Sequence, residues 1–472
     1  MFIRLTTAFY KGQNSKPKLP RAMLTVAFLL LGSALMTPAL PASAQTDLGD
    51  IETVQDTEVI QLGSTQSFAD DYEDWETETS SQPVRAVKMS LAELKARIRQ
   101  HPTLETYAYS AAADRLRSES ALSLPDPVVS LGLNNVPLFD PSFSEYLPSN
   151  KAVGVRQELP SRSARKAASL KSLRLADQSD LGSEERYARI EGRVLALVIS
   201  RDYLNGQREL AKQRLNKHDE LKDIIDIEIS AGRPLLYRLA QIDIERADAE
   251  RELTNIDQDI RVIDAELVNW VGVVPEIDLP ELRLTPLTGN AMQFHGVRVA
   301  DAVALVSDAD VQKAEADFKP NWGVNLTYQQ RESGQGPRSN FDGEDWVSGG
   351  VTFTVPLWSG KRQTPNLQAA KLDRQAAFSS RTARARELRT EWMQYEAKRD
   401  AASKNIKTLE RKILAIKEQS DAQLIQYEAG SGDFSPILNA EIATLTLETE
   451  ILKEASRRDQ MVVMMNSLLV TP

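Results

Sequence analysis

A chain of 472 residues has the length of about three ordinary domains, yet aromatics make up 6 % and charged residues 26 % of it, against 42 % hydrophobic. That balance favours helix over a large globular core, and 57 Lys plus Arg against 67 Asp plus Glu give a net −10 that excludes a general basic nucleic-acid footprint. Cysteine is absent and histidines number 3, which removes disulfides, thiolate metal sites, Cys nucleophiles and Cys lipidation, and nearly removes a histidine-built metal centre.

Residues 1–44 carry Arg4, Lys11, Lys16, Lys18 and Arg21 without an acid, then an apolar run from Ala22 to Met36, the helix breakers Pro38 and Pro41, and small Ala42-Ser43-Ala44. This is the order of a cleaved secretory signal peptide, and the run falls short of the roughly 20 apolar residues that span a bilayer. Gln45 follows the cut, so no lipid is attached there. Losing those five cations takes the charge from −10 to −15. Residues 45–84 then hold eleven acids, among them Asp47, Asp70, Asp74 and Glu78, and no base, the composition of a disordered acidic tail.

A first structural unit is expected over 85–274. After an early helix come two alternating strands at about 127–135 and 151–159, in which Val129, Leu131, Leu133, Val153 and Val155 oppose Ser130, Gly132, Gly154 and Arg156. A long helix over 162–229 then shows Ile190, Leu197, Leu204, Ala211, His218 and Ile225 every seven residues, with Val194, Leu215 and Ile229 interleaved. A 3.5-residue period is the mark of a coiled coil rather than of an isolated surface helix. Ala231-Gly232-Arg233-Pro234 stops that helix, and a return helix is expected over 235–271.

Residues 275–296, rich in Pro and Leu without a period, form a linker, and over 297–472 the unit repeats. Strands are expected at about 321–330, with Trp322, Val324, Leu326 and Tyr328 on one face, and 346–357, with Val347, Val351 and Phe353. A long helix over 361–427 carries Leu388, Trp392, Tyr395, Ala402, Ile406, Leu409 and Ile413, and a return helix is expected over 434–469. The tips Gly232 and Gly430 lie 198 apart, and the corners Leu159-Pro160-Ser161 and Val355-Pro356-Leu357 lie 196 apart. Each long helix would reach about 100 Å at ~1.5 Å per residue, taller than any ordinary globular core.

Strands of about ten residues, apolar on one face, polar on the other and aromatic at the ends, suit a membrane barrel with lipid outside and water inside. Four strands cannot close one, whereas three copies contribute twelve and leave no open edge. The expected fold is mainly α with a small membrane β-barrel: coiled-coil helices forming an α-barrel, and four strands per protomer of a 12-stranded trimeric barrel.

The doubled strand–strand–helix–tip–helix unit, the helix opening at His101-Pro102 and the corner Val355-Pro356-Leu357-Trp358-Ser359-Gly360-Lys361-Arg362 resemble the TolC family of outer-membrane efflux proteins. Pro125-Asp126-Pro127, Asn134-Asn135-Val136-Pro137-Leu138 and Gly154-Val155-Arg156-Gln157-Glu158 are similar to its heavy-metal efflux branch. The resemblance implies a homotrimeric duct in the outer membrane of a Gram-negative bacterium, reaching through the periplasm to a periplasmic adaptor and an inner-membrane pump. It carries heavy-metal cations or small toxic compounds passively, with no enzymatic step and no cofactor. By the same resemblance Ala231, Gly232, Arg233, Ala429, Gly430 and Ser431 are adaptor-docking tips, and Tyr427 closes the periplasmic constriction. The acidic pair of the best-known members falls on Pro436 and Asn439, leaving nearby Asp433 as a partial replacement. The competing reading is a periplasmic coiled-coil adaptor or scaffold without a pore.

Other motifs carry less. Gly334-Gln335-Gly336 lacks a surrounding βα unit, Ser359-Gly360-Lys361-Arg362 lacks the frame of a phosphate loop, and His101, His218 and His295 have no partner at ligand spacing. Arg162, Arg165, Lys166, Lys361 and Arg362 read as a solvated basic belt where strands meet helices.

Overall fold

The computed structural model describes residues 86–336 and 339–470; the expected signal peptide and acidic tail lie outside the described residues. In chain order the elements are β1 (Ala86–Lys88), α1 (Leu91–Arg99), α2 (Pro102–Leu122), β2 (Val128–Asn134), β3 (Asn150–Leu159), α3 (Arg162–Ser230), α4 (Leu236–Val271) and β4 (Val274–Glu276). A 3₁₀ turn (Ala291–Gln293) then leads to α5 (His295–Ala316), β5 (Trp322–Gln330), β6 (Gly334–Gly336), β7 (Ser339–Phe341), β8 (Trp346–Phe353), α6 (Gln363–Glu428) and α7 (Ser435–Leu468).

Local chemistry sets the helix starts. Ser90 Oγ accepts the Glu93 N–H at 3.2 Å while Glu93 takes the Ser90 N–H at 2.7 Å, a capping box that opens α1. Pro102 opens α2, whose first free N–H, on Thr103, is taken by His101 Nδ1 at 3.2 Å. Ser161 Oγ accepts the Ala164 N–H at 3.2 Å and starts α3.

With 69 and 66 residues, α3 and α6 are each about 100 Å long. On α6 the buried Leu388, Trp392, Ala402 and Ile413, with half-buried Tyr395, Ile406, Leu409 and Ile416, follow the seven-residue period. On α3 the expected row is buried except for half-buried Leu204; of the interleaved row Val194 is buried, but Leu215 and Ile229 are only half-buried and Gln207, Arg214 and Leu221 are buried instead. The reason is contact on two sides, since α3 packs against α2 and α4 of its own unit and against α5 and α7 of the other. Two seams on one helix draw polar side chains into the interior. Gly192 marks the closest approach: a Cβ there would stand 2.5 Å from Ser467 Cβ on α7.

The lower helices are therefore ordered α4, α3, α7, α6 and the upper ones α2, α3, α5, α6, by their packing partners. One core cluster joins Leu94, Ile98, Ile190, Val194, Leu267 and Val274; another joins Phe294, Leu388, Trp392, Met465 and Leu468. No helix among the described residues is long and apolar enough to cross a membrane.

Three elements depart from the sequence expectation. The strand expected over 346–357 ends at Phe353 and the helix expected from Lys361 starts at Gln363, because Pro356 has no N–H to pair and the chain turns, with Leu357 N–H on Val355 C=O at 2.8 Å and Lys361 N–H on Trp358 C=O at 3.0 Å. The linker expected over 275–296 is partly ordered: β4 pairs in parallel with β1, Ala86 opposite Val274, and His295 begins α5. The loop after β5 contains the β6–β7 hairpin.

Candidate functional site

The sequence expectations point to the four-stranded sheet and the two hairpin tips. The sheet is antiparallel, ordered β2-β3-β5-β8, and register decides its faces. Leu131, Val153, Tyr328 and Val347 form one cross-strand row; Val129, Val155, Leu326 and Gly349 form the next. Val324 with Val351, then Trp322 with Phe353, continue this face, the last two rings lying 5.3 Å apart, and Gln157 and the end row Leu133, Lys151, Gln330 lie on it too. Its apolar side chains are exposed, Leu131 by 81 % and Leu326 by 57 %. The opposite face has the rows Ser130, Gly154, Thr327, Ser348 and Val128, Arg156, Asn325, Gly350, with Trp346 opposite Gln329 at one end and Glu158 3.2 Å from Arg156.

Glycines concentrate on that polar face for want of space. A Cβ on Gly154 would lie 2.6 Å from Ser130 Oγ, on Gly323 2.7 Å from Thr352 Oγ1, and on Gly350 2.8 Å from Asn325 Oδ1. Crowding belongs to the face that contracts when a sheet curls. Within the described residues β2 and β8 are each hydrogen-bonded along one side only.

At the opposite end the two tips share one closure. Gly232 N–H bonds Ile229 C=O at 2.8 Å and Arg233 N–H bonds Glu228 C=O at 3.1 Å; Gly430 N–H bonds Tyr427 C=O at 2.9 Å and Ser431 N–H bonds Gln426 C=O at 3.0 Å. Both are Schellman stops requiring left-handed backbone, and Gly232 and Gly430 have φ of 92° and 73°. Nothing lies within 4 Å of a Cβ built on either glycine, so the demand is on the backbone alone. Ala231, Gly232, Arg233, Ala429, Gly430 and Ser431 are all exposed.

Arg233 Nη1 donates to Asp433 Oδ1 across the tips at 2.9 Å and lies 3.5 Å from Glu228 Oε1. Asp433 is thus engaged by a cation of its own chain. Tyr427 packs on Phe434 with ring centroids 5.2 Å apart, joining the end of α6 to the start of α7. Pro436 and Asn439 are half-buried in the first turns of α7 and join neither group. Phe434 and Glu228 were not singled out in the sequence, since the turn at Gly430 breaks the helical period between Tyr427 and Phe434.

Above the tips lies a buried polar group that composition hides. Arg214, 8 % exposed on α3, donates to Glu252 on α4 and to Thr446 Oγ1 on α7 at 3.5 Å. One turn on, His218 is buried with Nδ1 3.9 Å from Glu245 Oε2 and without a hydrogen-bond partner. Burial pushes its pKa below the ordinary value, Glu245 pulling against this and Arg214 adding to it. The three histidines serve as a helix cap, a core residue and a helix start, and no cluster of three metal-ligating side chains occurs among the described residues.

No protein-family profile and no curated protein matches the chain. Solved structures do. The chain is similar to CusC, described for conformational changes accompanying folding and transmembrane channel formation, with TM-score 0.67, 12 % identity, and 83 % of this chain and 96 % of that one covered. It is similar to the outer membrane protein VceC of Vibrio cholerae, with TM-score 0.64, 17 % identity and coverage of 80 % and 95 %. It is also similar to the open state of the Neisseria gonorrhoeae MtrE outer membrane channel, with TM-score 0.65, 17 % identity and coverage of 83 % and 93 %. The fold is therefore TolC-like, shared over nearly the whole length of these channels.

Proposed function

We propose that this chain is one of three identical subunits of an outer-membrane duct through which an efflux system discharges its cargo. The observation that carries the reading is the sheet: an exposed, mainly apolar face, an opposite face mainly of glycine and polar groups, and two edges without a partner strand among the described residues. Exposed apolar area on that scale needs lipid, and unpaired edges within lipid need strands from other copies. Twelve strands tilted by about 40° close a cylinder about 24 Å across between backbones, wide enough for water.

The signal peptide delivers the chain across the inner membrane, and the absence of cysteine leaves the barrel as the anchor. Below it the helices of three copies continue the duct into the periplasm. The glycine tips dock on a periplasmic adaptor attached to an inner-membrane pump, which supplies the energy. Tyr427, held by Phe434, and Asp433, held by Arg233, set the constriction there together with Pro436 and Asn439. Without paired carboxylates on that turn, the opening is not an acidic cation ring. The cargo class, heavy-metal cations or small toxic compounds, rests on the resemblance in the strand segments.

The test is membrane fractionation, native mass and conductance in planar bilayers. A trimer in the outer-membrane fraction that conducts supports the duct; a soluble monomer overturns it.

A further inference from the structure

The two end helices of the protomer each keep a second, uncovered seam. On α6, Leu372, Ala376, Ala383, Ala397, Ala401 and Ala415 are exposed at steps of 4, 7 and 14 residues. On α4, Tyr237, Ile244 and Ala247 are exposed at steps of 7 and 3, and Val262 and Ala265 form a second exposed pair further along. Their charges have opposite sign. From 404 to 412 α6 carries Lys404, Lys407, Arg411 and Lys412 against Glu410, whereas α4 holds nine acids and four bases.

Many α4 acids already serve α3: Glu266 takes Arg193 at 2.7 Å, Asp264 takes Arg201 at 2.5 Å and Asp243 takes Lys222 at 3.0 Å. Asp248 and Asp259, eleven residues or about three turns apart, are exposed; among the described residues Asp259 has no ion-pair partner and Asp248 has only Arg251, at 3.1 Å. On α6, Lys404 and Arg411 are exposed two turns apart, and Arg411 reaches only Thr408 Oγ1, at 3.3 Å. The Arg233–Asp433 contact puts both tips at one level, so heights are counted from the tip glycines. At ~1.5 Å per residue Lys404 stands about 39 Å up and Asp259 about 40 Å; Arg411 stands about 28 Å up and Asp248 about 24 Å.

We propose that neighbouring copies join through these seams, α6 of one against α4 of the next, keyed by Lys404 opposite Asp259 and Arg411 opposite Asp248. This rests on the trimeric duct reading and adds to it which surfaces meet and what fixes their vertical register. Head-to-tail contact of this kind closes a ring, because each copy offers one basic and one acidic edge. A sliding mismatch of two turns would bring Arg411 to the level of Asp259 and Lys404 to that of Asp264 and Glu266, which already pair with Arg201 and Arg193 of α3.

Because the chain has no cysteine, the double variant Lys404→Cys with Asp259→Cys carries the only thiols. Within one protomer α3 and α7 separate the two sites, so a short bis-maleimide can join only different copies. The expected result is a ladder of two and three linked chains on denaturing gels, absent from either single variant. In parallel, Lys404→Glu with Arg411→Glu is expected to lose the trimer at low salt, and adding Asp248→Lys with Asp259→Lys to recover it. A native trimer that gives no ladder, or whose charge reversal has no effect at low salt, overturns the keyed seam while leaving the duct reading intact. Wild-type protein that is a soluble monomer overturns the duct reading itself.

Discussion

Leu326→Arg separates a lipid-facing sheet from one on a soluble protein. Leu326 lies in a middle row of the apolar face, between the rows of Val324 and Tyr328, and is 57 % exposed. If that face meets water, the replacement changes stability by no more than about 0.5 kcal/mol, as exposed substitutions usually do. If it meets hydrocarbon, a central arginine costs about 2–4 kcal/mol per chain. Three copies in one barrel then pay about 6–12 kcal/mol together, comparable with the whole stability of an ordinary domain. The assay is refolding from urea into phosphatidylcholine vesicles, read by Trp322 and Trp346 fluorescence and by gel mobility of the unheated trimer. The expected outcome is that Leu326→Arg fails to insert, while Thr327→Arg, the next residue and on the polar face, inserts close to the wild-type extent. Equal insertion of wild type and Leu326→Arg, or equal failure of both variants, refutes the assignment of the two faces.

At the tips, Gly430→Ala adds no clash and forces a left-handed alanine at a cost of about 1–2 kcal/mol, so the Ser431 amide should exchange about 5–30 times faster with little change in global unfolding; unchanged exchange would contradict the Schellman stop. Tyr427→Ala removes the ring stacked on Phe434 and is expected to raise closed-state conductance in planar bilayers, an outcome that an unaltered trace would exclude. His218, with its pKa lowered by burial, binds fewer protons folded than unfolded, so its contribution to stability is present above pH ~6.5 and drains as pH falls through the lowered folded value. His218→Leu should therefore flatten the fall of the urea midpoint below about pH 6.5, and an unchanged slope would show that His218 does not titrate on unfolding.

Long periodic segments made most of the architecture legible. The 4-3 spacing around Trp392 and Ile413 is dense enough to be read without contacts, and Gly232 and Gly430 announce stops that only glycine satisfies cheaply. The second seam of α3 was not legible, because Gln207 and Arg214 look like surface residues until two neighbouring helices enclose them. The Arg233–Asp433 contact was equally hidden, being a pairing of residues 200 apart with no local signature. Alternation revealed the strands, but the end of β8 was misplaced because Val355 and Leu357 continue the alternating pattern beyond Phe353, where the strand has already ended.

That strand end has a mechanical consequence. In the first unit only Pro160 and Ser161 separate β3 from α3, whereas residues 354–362 separate β8 from α6. The two long helices thus join one sheet through a very short corner and a much longer one. In the proposed duct, torque applied at the tips passes to the sheet chiefly through α3, whose corner is short, and less directly through α6, whose corner is a longer hydrogen-bonded turn.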